Sequence, residues 1–342
     1  MPGHKYKGYP NTGRPLKINF DVDGDDTPSP DNPVMEQPED GVHRISLGKG
    51  LCFMSFGSGS SGNCAYLGTP RGGILIDAGI KPAPKTKRRR KKSDHDVLNL
   101  DEAFAALARN GIPPSMIKGV LLTHAHQDHM HCLYSAVSRC RCSVYCTRGV
   151  ISQMLQRCRV SSRICDYHVP IFREIPFRIV DMEITPFETL HDVKSVGFSV
   201  EYEGERFVIS GDMGSITDRA AHYMSLANYL MIECDYDESK LEESNYSEYL
   251  KNRVRKDDGH LENKVAAQFV ASHYHEGLRF VFLCHLSENN NTPELALSTM
   301  RQALEGIGLT VGDGSNAASQ NNRDIQIYAL PRYNASDLFV LA

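Results

Sequence analysis

Short apolar runs separated by glycine-containing turns recur along this chain from Ile45 onward. Each run stops at a polar or small residue and is too short for a helix, which is typical of buried β-strands. Such runs cover residues 51–56, 65–68, 73–76, 119–122, 184–190, 206–209, 280–284 and 325–330. The first two flank the turn Ser58–Asn63, whose glycines permit positive φ angles, so we predict a β-hairpin there. The turn is either a plain hairpin connection or a loop that binds phosphate through backbone N–H groups.

Other segments have apolar residues at helical spacing. We predict helices over residues 98–110, 265–273 and 295–307. In the first of them, Leu100, Phe104 and Leu107 share one face, and the pair that begins at Asn110 is a stop signal. Strands followed by a helix, with the pattern then repeated, predict an α/β fold.

Composition supports one large domain after an N-terminal part of different character. Residues 1–45 are rich in Pro, Gly, Asp and Lys and lack periodicity, so we expect a flexible extension followed by a single domain over 46–342. A hydrophobic content of 41% supports a substantial core. No stretch approaches eighteen uninterrupted apolar residues, so we predict no membrane span. Ten cysteines and no apolar signal segment near Met1 indicate a reducing cytoplasm.

The net charge of −4 excludes a protein coated in positive charge, so any contact with nucleic acid must come from local patches. One predicted insertion, residues 81–95, is strongly basic. Its basic side chains are Lys81, Lys85, Lys87, Arg88, Arg89, Arg90, Lys91 and Lys92. It is either a solvated charge run or a clamp for a phosphate backbone, and the negative charge of the whole chain favours the clamp. In the clamp interpretation, Arg88, Arg89 and Arg90 bind substrate.

The segment Thr123–His129 has the strongest chemical signal. His124, His126, Asp128 and His129 follow directly after a buried apolar run. Neutral imidazole and ionised carboxylate are ligands that Zn²⁺, Mn²⁺ and Fe²⁺ accept. These four side chains cannot all reach one ion from a regular strand, but a strand end and the first turn of a helix can present them to two adjacent ions. The alternative is a histidine-rich surface turn.

Four other apolar runs also stop at a potential ligand. These residues are Asp77, His191, Asp212 and His285. Singly, each could be a loop residue or a hydrogen-bonded core residue. Together they predict an active site on the rim of a sheet, where strands end.

This order of residues resembles the metallo-β-lactamase fold superfamily over roughly residues 50 to 340. Three further stretches are similar to its YycJ (WalJ) exonuclease group: 58–63, 233–237 and 259–263. The stretch Gly259–Leu261 is also similar to the tRNase Z branch, in which such a histidine donates a proton. Two positions depart from the pattern, because Met130 stands where a Gly-containing helix start is usual and Glu262 replaces a small Ser.

The resemblance implies a four-layered αββα sandwich with a dinuclear metal site on the strand-end rim. One ion is then held by His124, His126 and His191, the other by Asp128, His129 and His285. Asp212 bridges the ions, and Asp77 steadies a ligand histidine. Zn²⁺ is the expected ion, with Mn²⁺ or Fe²⁺ as alternatives.

The resemblance also implies a reaction, a phosphodiester hydrolysis on nucleic acid. A bridging hydroxide attacks phosphorus, with Asp128 in the catalytic centre, and His260 protonates the leaving oxygen while Glu233 orients it. The implied activity is a 5′ to 3′ exonuclease on single-stranded or gapped DNA, with DNA favoured over RNA. The candidate substrate-binding residues outside the basic run are Ser60, Ser61, Asn63, Ser287 and Asn289.

Two other functions stay open. One is a hydrolase of the same fold that acts on a small cyclic phosphodiester, thioester or lactone. The other is a non-enzymatic module that binds metal or nucleic acid. The sequence leaves the oligomeric state undecided.

Overall fold

A computed structural model describes residues 50–82, 98–157, 162–314 and 322–341. The predicted domain boundary at residue 45 and the basic side chains Arg88, Arg89 and Arg90 lie outside the described residues. In chain order the strands are β1 (Leu51–Gly57), β2 (Cys64–Thr69), β3 (Gly72–Ile76), β4 (Ile117–Leu121), β5 (Ser143–Thr147), β6 (His168–Ile171), β7 (Phe177–Ile179), β8 (Met182–Thr189), β9 (Ser195–Tyr202), β10 (Glu205–Ile209), β11 (Tyr229–Glu233), β12 (Phe280–Cys284), β13 (Val311–Gly312), β14 (Ile325–Ala329) and β15 (Phe339–Leu341). The helices are α1 (Leu100–Arg109), α2 (Gln127–Met130), α3 (Leu133–Cys140), α4 (Arg148–Arg157), α5 (Asp218–Met224), α6 (Glu238–Glu243), α7 (Glu248–Arg255), α8 (Asn263–Ser272) and α9 (Pro293–Gly306).

The described strands form two mixed sheets. The first has the order β15-β1-β2-β3-β4-β5-β6, and its β3 to β6 half is parallel. The second has the order β13-β14-β12-β11-β10-β9-β8-β7, with β10, β11, β12, β14 and β13 parallel. The predicted hairpin is present, because β1 and β2 pair antiparallel across the Ser-Gly turn.

The two sheets pack face to face and each is covered by helices on its outer face. Phe53 of the first sheet packs against Phe207 and Phe282 of the second, with ring centroids 5.0 and 4.6 Å away. Strand β1 is apolar throughout because both of its faces are buried. Phe53 points into the core between the sheets, whereas Met54 belongs to the core under the helices. A strand buried on both faces loses the alternation of apolar and polar residues. The predicted αββα sandwich is confirmed.

Local signals set the helix ends close to the predicted positions. The predicted helix 98–110 begins at Leu100, because the Asn99 side chain accepts hydrogen bonds from the N–H groups of Asp101 and Glu102. Similarly, α9 begins at Pro293 after the Thr292 cap rather than at 295. None of the described helices is both long enough and apolar enough to cross a membrane.

The sheet arrangement directs the candidate residues toward one rim. In the first sheet, β3 and β4 are parallel neighbours, so the residues that follow them meet at the same edge. In the second, β10, β11 and β12 do the same. Asp77 and His285 follow their strands with φ angles of 57° and 56°, a left-handed conformation that is uncommon for residues other than glycine.

Backbone hydrogen bonds interlock the loops at this rim. The Ala78 N–H donates to the His129 carbonyl, and the Asn63 N–H donates to the Asp128 carbonyl. Gly79 lies inside this contact: a Cβ added there would lie 1.5 Å from the Asp128 carbonyl oxygen, which is backbone and cannot move aside. Only glycine therefore fits at this position.

We expect Gly79→Ala to lower the free energy of unfolding by at least about 1–3 kcal/mol, the usual cost of overpacking. Urea denaturation followed by circular dichroism measures this change. Gly306→Ala is the matched control, because an added Cβ meets no atom within 4 Å there. Equal midpoints for the two variants would contradict the proposed close contact.

Candidate active site

The segment after β4 presents four side chains in the predicted way. His126 has extended backbone angles and immediately precedes α2, so Asp128 and His129 lie in the first turn of that helix. His124 and His126 therefore come from extended chain, and the other two come from helix. This change of geometry divides the four side chains between two groups of potential ligands.

The first group consists of His124, His126 and His191, whose ligand atoms lie within 4.8 Å of one another. His126 Nδ1 is 3.1 Å from His124 Nε2 and 3.2 Å from His191 Nε2, so three ring nitrogens face one point. Burial lowers the pKa of His124 well below its ordinary value and that of His191 to about 4. Neutral rings at pH 7 are the form that binds a metal ion.

The second group consists of Asp128, His129 and His285, again within 4.8 Å. Asp212 lies between the groups: its Oδ2 is 3.4 Å from His129 Nε2, 3.3 Å from His285 Nε2 and 3.8 Å from His124 Nε2. Asp212 therefore faces both groups. Burial alone would lower the pKa values of His129 and His285, but Asp212 and other carboxylates raise them well above the usual range. The carboxylates thus favour positive charge at this point.

Each candidate histidine uses its second ring nitrogen elsewhere. His191 Nδ1 donates to the Gly259 carbonyl at 2.9 Å, which leaves Nε2 as the acceptor toward the group. His129 Nδ1 is 2.7 Å from Asp77 Oδ2, and Asp77 Oδ1 also accepts from the Thr123 N–H. Such hydrogen bonds fix the tautomer and the ring orientation of metal-binding histidines. With nitrogen and carboxylate donors in two adjacent groups, the site fits two divalent transition-metal ions.

His260 and Glu233 form a pair beside both groups. His260 Nδ1 is 2.7 Å from Glu233 Oε1, and Glu233 is fully buried, with its Oε2 accepting from the Met213 N–H. Burial opposes the charge on His260, but Asp235 and Glu233 outweigh it and raise its pKa to about 9. Burial and then Asp212 raise the pKa of Glu233 to about 7. The His260 ring centroid is 5.3 Å from that of His191 and 5.2 Å from that of His285.

Two carboxylates that sequence reasoning missed also contact the groups. Asp192 Oδ1 is 3.0 Å from His126 Nε2, and its Oδ2 accepts from Arg253 at 2.9 Å. Asp235 Oδ1 is 3.3 Å from His285 Nδ1. Each lies within two residues of a predicted site residue, so sequence adjacency was the available signal.

The remaining predicted residues occupy different surroundings. Ser60 and Ser287 line a pocket that opens beside His260. Ser61 lies exposed in the Ser-Gly turn. Asn63 is buried, with its Nδ2 at 2.9 Å from His129 Nε2, so it contacts the second group directly. Asn289 is exposed and donates to the Tyr246 hydroxyl at 3.2 Å.

Comparisons with known proteins identify the family of this chain. A family model described as a beta-lactamase superfamily domain matches residues 73–285. The chain is 27% identical to Exodeoxyribonuclease YycJ of Bacillus anthracis over 271 residues, which cover 77% of this chain and 93% of that protein. It is 28% identical to Exodeoxyribonuclease WalJ of Streptococcus pneumoniae serotype 2 over 265 residues, which cover 77% of this chain and 91% of that protein.

Solved structures show the same fold at low sequence identity. The metallo-beta-lactamase fold protein YhfI from Bacillus subtilis matches with a TM-score of 0.55 at 12% identity, covering 84% of this chain and 99% of that one. Human tRNase Z, short form, matches with a TM-score of 0.50 at 13% identity, covering 84% and 98%. At such identities these two matches establish the fold alone.

Replacing Asp212 with Ala should reduce the occupancy of both ion positions, because this carboxylate faces both groups. Elemental analysis of the dialysed protein measures the occupancy, and Asp218→Ala, which removes an exposed carboxylate from the start of α5, is the control. Two ions retained per chain in the Asp212→Ala variant would contradict the bridging position.

Proposed function

Since this chain belongs to the beta-lactamase superfamily, we propose that it is a metal-dependent phosphodiesterase of nucleic acid. The proposed activity is a 5′ to 3′ exonuclease on single-stranded or gapped DNA. Both curated relatives are named exodeoxyribonucleases, which favours DNA over RNA and supports the implied reaction. The nine cysteines of the described residues are free thiols, which suits a reducing cytoplasm.

The observation that carries this proposal is the His260–Glu233 pair beside two groups of metal ligands. A sugar oxygen that leaves phosphorus is a poor leaving group and needs a proton, whereas a thiolate leaves a thioester without one. The Glu233 carboxylate, 2.7 Å from His260 Nδ1, and Asp235 favour the protonated ring and raise its pKa, so His260 is placed to supply that proton. The pair therefore favours a phosphodiester over a thioester.

Bound at the two groups, divalent ions would supply a water molecule of lowered pKa and neutralise charge on the phosphoryl oxygens. Of the residues that would hold them, His124, His126 and His191 offer nitrogen donors alone, whereas the Asp128 group adds a carboxylate. This donor chemistry suits Zn²⁺ first, with Mn²⁺ or Fe²⁺ as alternatives. Asp77 and Asp192 keep ligand rings in place from outside.

The proton path can be followed through this chain's own side chains. Glu233 accepts from His260 Nδ1, so Nε2 is the nitrogen that can give its proton to the leaving oxygen. Glu233 itself is fixed by the Met213 N–H and lies out of reach of solvent. After the transfer, the neutral imidazole must take up a proton again, and the pocket beside it provides access to water.

A substrate panel tests the proposed function. With 3′-labelled single-stranded DNA we expect a series of progressively shortened labelled strands, and with circular single-stranded DNA no products. A thioester and a lactone should be hydrolysed no faster than by buffer. The Asp212→Ala variant, purified identically, excludes a contaminating nuclease. Rapid thioester or lactone hydrolysis with intact DNA would instead identify a small-substrate hydrolase, and no hydrolysis of any member would favour a binding module.

His260→Gln should keep both ions bound but lower kcat on DNA by roughly 10²–10⁴-fold, the usual contribution of general acid–base catalysis. The loss should be smaller on bis-p-nitrophenyl phosphate, because p-nitrophenolate leaves without a proton. His222→Gln, an exposed position in α5, is the control. Losses of equal size on both substrates would argue against a proton donor.

The pH profile gives a second signature of the same residue. The acid form of His260 is the protonated ring, so kcat on DNA should fall as the pH rises through its pKa. Bound cations shift that midpoint below the value of about 9, because positive charge disfavours the imidazolium. The His260→Gln profile should lack this descending limb.

A further inference from the structure

Helix α7 and the loop after β12 enclose a pocket of about 370 Å³ that opens on His260. One side of this pocket is formed by His191, His260 and His285, so it adjoins both groups of metal ligands. We propose that it is the binding site for a single nucleotide, the terminal one of the substrate strand, on the side of the leaving oxygen. This inference rests on the proposed function and names the part of the substrate that the pocket binds.

The volume sets the size of the occupant. Ligand pockets of about 300–1,000 Å³ hold molecules of drug size. A pocket near the lower end of that range has the size of one nucleotide. A site that accepts one unpaired nucleotide suits an enzyme that shortens strands from their ends.

The position of His260 decides which nucleotide this is. Hydrolysis forms a bond from water oxygen to phosphorus and breaks the bond from phosphorus to the leaving oxygen, which takes the proton of His260. In cleavage from the 5′ end that releases a 5′-mononucleotide, the leaving oxygen is the 3′ oxygen of the terminal nucleotide. The pocket beside His260 therefore holds the nucleotide that departs, and the phosphorylated remainder of the strand lies on the other side.

One face of α7 supplies an aromatic and apolar wall. Tyr249, Leu250, Arg253 and Val254 line the pocket and share a helix face, since they are spaced by three or four residues across one turn. Tyr249 is 78% exposed, so its ring contributes little to the packing of the fold. A base that stacks on an exposed aromatic ring gains about 1–3 kcal/mol, whichever base it is. Tyr249 thus offers a stacking surface without sequence preference.

Ion pairs hold this wall in place. Arg255 of α7 contacts Glu238 and Glu242 of α6 at 2.6 and 2.5 Å. On the side facing the rim, Arg253 donates to Asp192, which in turn contacts the His126 ring. The wall is therefore linked to the candidate metal ligands through Arg253 and Asp192.

Polar groups in the pocket match the rest of a nucleotide. Arg253, whose side chain is 56% exposed, and Lys256 are the basic residues that line the pocket and can contact a 5′-phosphate, while Asp192, Asp235 and Asp258 line it as well. Asn290 also lines the pocket, and its buried side-chain oxygen Oδ1 has no hydrogen-bond partner among the described residues. An unpaired buried acceptor is costly, and an N–H or O–H donor of a base or sugar would satisfy it.

The test varies Tyr249 and the terminal base together. For the parent protein, DNA whose 5′-terminal nucleotide is abasic should have a KM about 5- to 150-fold higher than intact DNA, the range that stacking on one ring supplies. This ratio should approach one in Tyr249→Ala and stay at the parent value in Tyr249→Phe, which keeps the ring. A ratio that is the same in all three proteins would overturn the proposal. Since Tyr249 is mostly exposed, neither substitution removes buried packing.

A second measurement separates this proposal from the proposed function. Deoxyadenosine 5′-monophosphate should inhibit the hydrolysis of bis-p-nitrophenyl phosphate, with an inhibition constant that rises about 5- to 150-fold in Tyr249→Ala. Deoxyadenosine without phosphate should inhibit less. The ratio of the two inhibition constants should be closer to one in Lys256→Ala than in the parent protein. If DNA is degraded but the inhibition constant is the same in Tyr249→Ala and the parent protein, the pocket assignment fails and the proposed function stands. If inhibition depends on Tyr249 but DNA stays intact, the pocket binds nucleotides and the proposed substrate is wrong.

Discussion

Buried negative charge is the constraint on which this structure depends. Asp77, Asp212, Glu233 and Asp235 are all nearly excluded from solvent along one rim. Isolated buried carboxylates are very costly, so the fold must bring compensating charge to the same place. In the protein alone, raised pKa values of His129, His260 and His285 provide it as protons. Divalent cations can replace the protons on His129 and His285, which is why affinity for metal follows from the burial itself. His260 lies beside the His285 ring and pairs with Glu233, which favours its protonated form.

The elements that hold the candidate metal ligands differ in rigidity from those that form the pocket wall. The candidate metal ligands follow strands of two sheets whose cores are packed on both sides, so their spacing is set by the sheet register. The wall of the pocket instead comes from α7, which is attached to α6 by Arg255 and to the rim by Arg253. Surface ion pairs are weaker and more adjustable than a packed core. In the proposed function, the chemistry therefore relies on residues that follow strands, and the contact with the terminal nucleotide relies on helix α7.

The sequence predicted the features that depend on local spacing. The segment from His124 to His129 can be recognised from the sequence alone, because a strand end followed by a helix turn explains its four potential ligands. The strand-end position of Asp212 could be predicted because the preceding run is apolar on both faces. In contrast, α6 and α7 were missed because they are polar: Lys251 is the buried residue of α7, and charges rather than apolar stripes hold it. Asp192 was missed because its partners, His126 and Arg253, are far from it in sequence.

The candidate ligands are divided between the two halves of the molecule. His124, His126, Asp128 and His129 follow a strand of the first sheet, whereas His191, Asp212 and His285 follow strands of the second. Any ion bound among them has ligands from both sheets, so its binding free energy stabilises the packing of one sheet against the other. Neither half alone retains a complete set of donors for either ion. A proteolytic fragment that contains one sheet would therefore not retain the ions. Chelation would weaken the packing between the two sheets before it weakened either sheet.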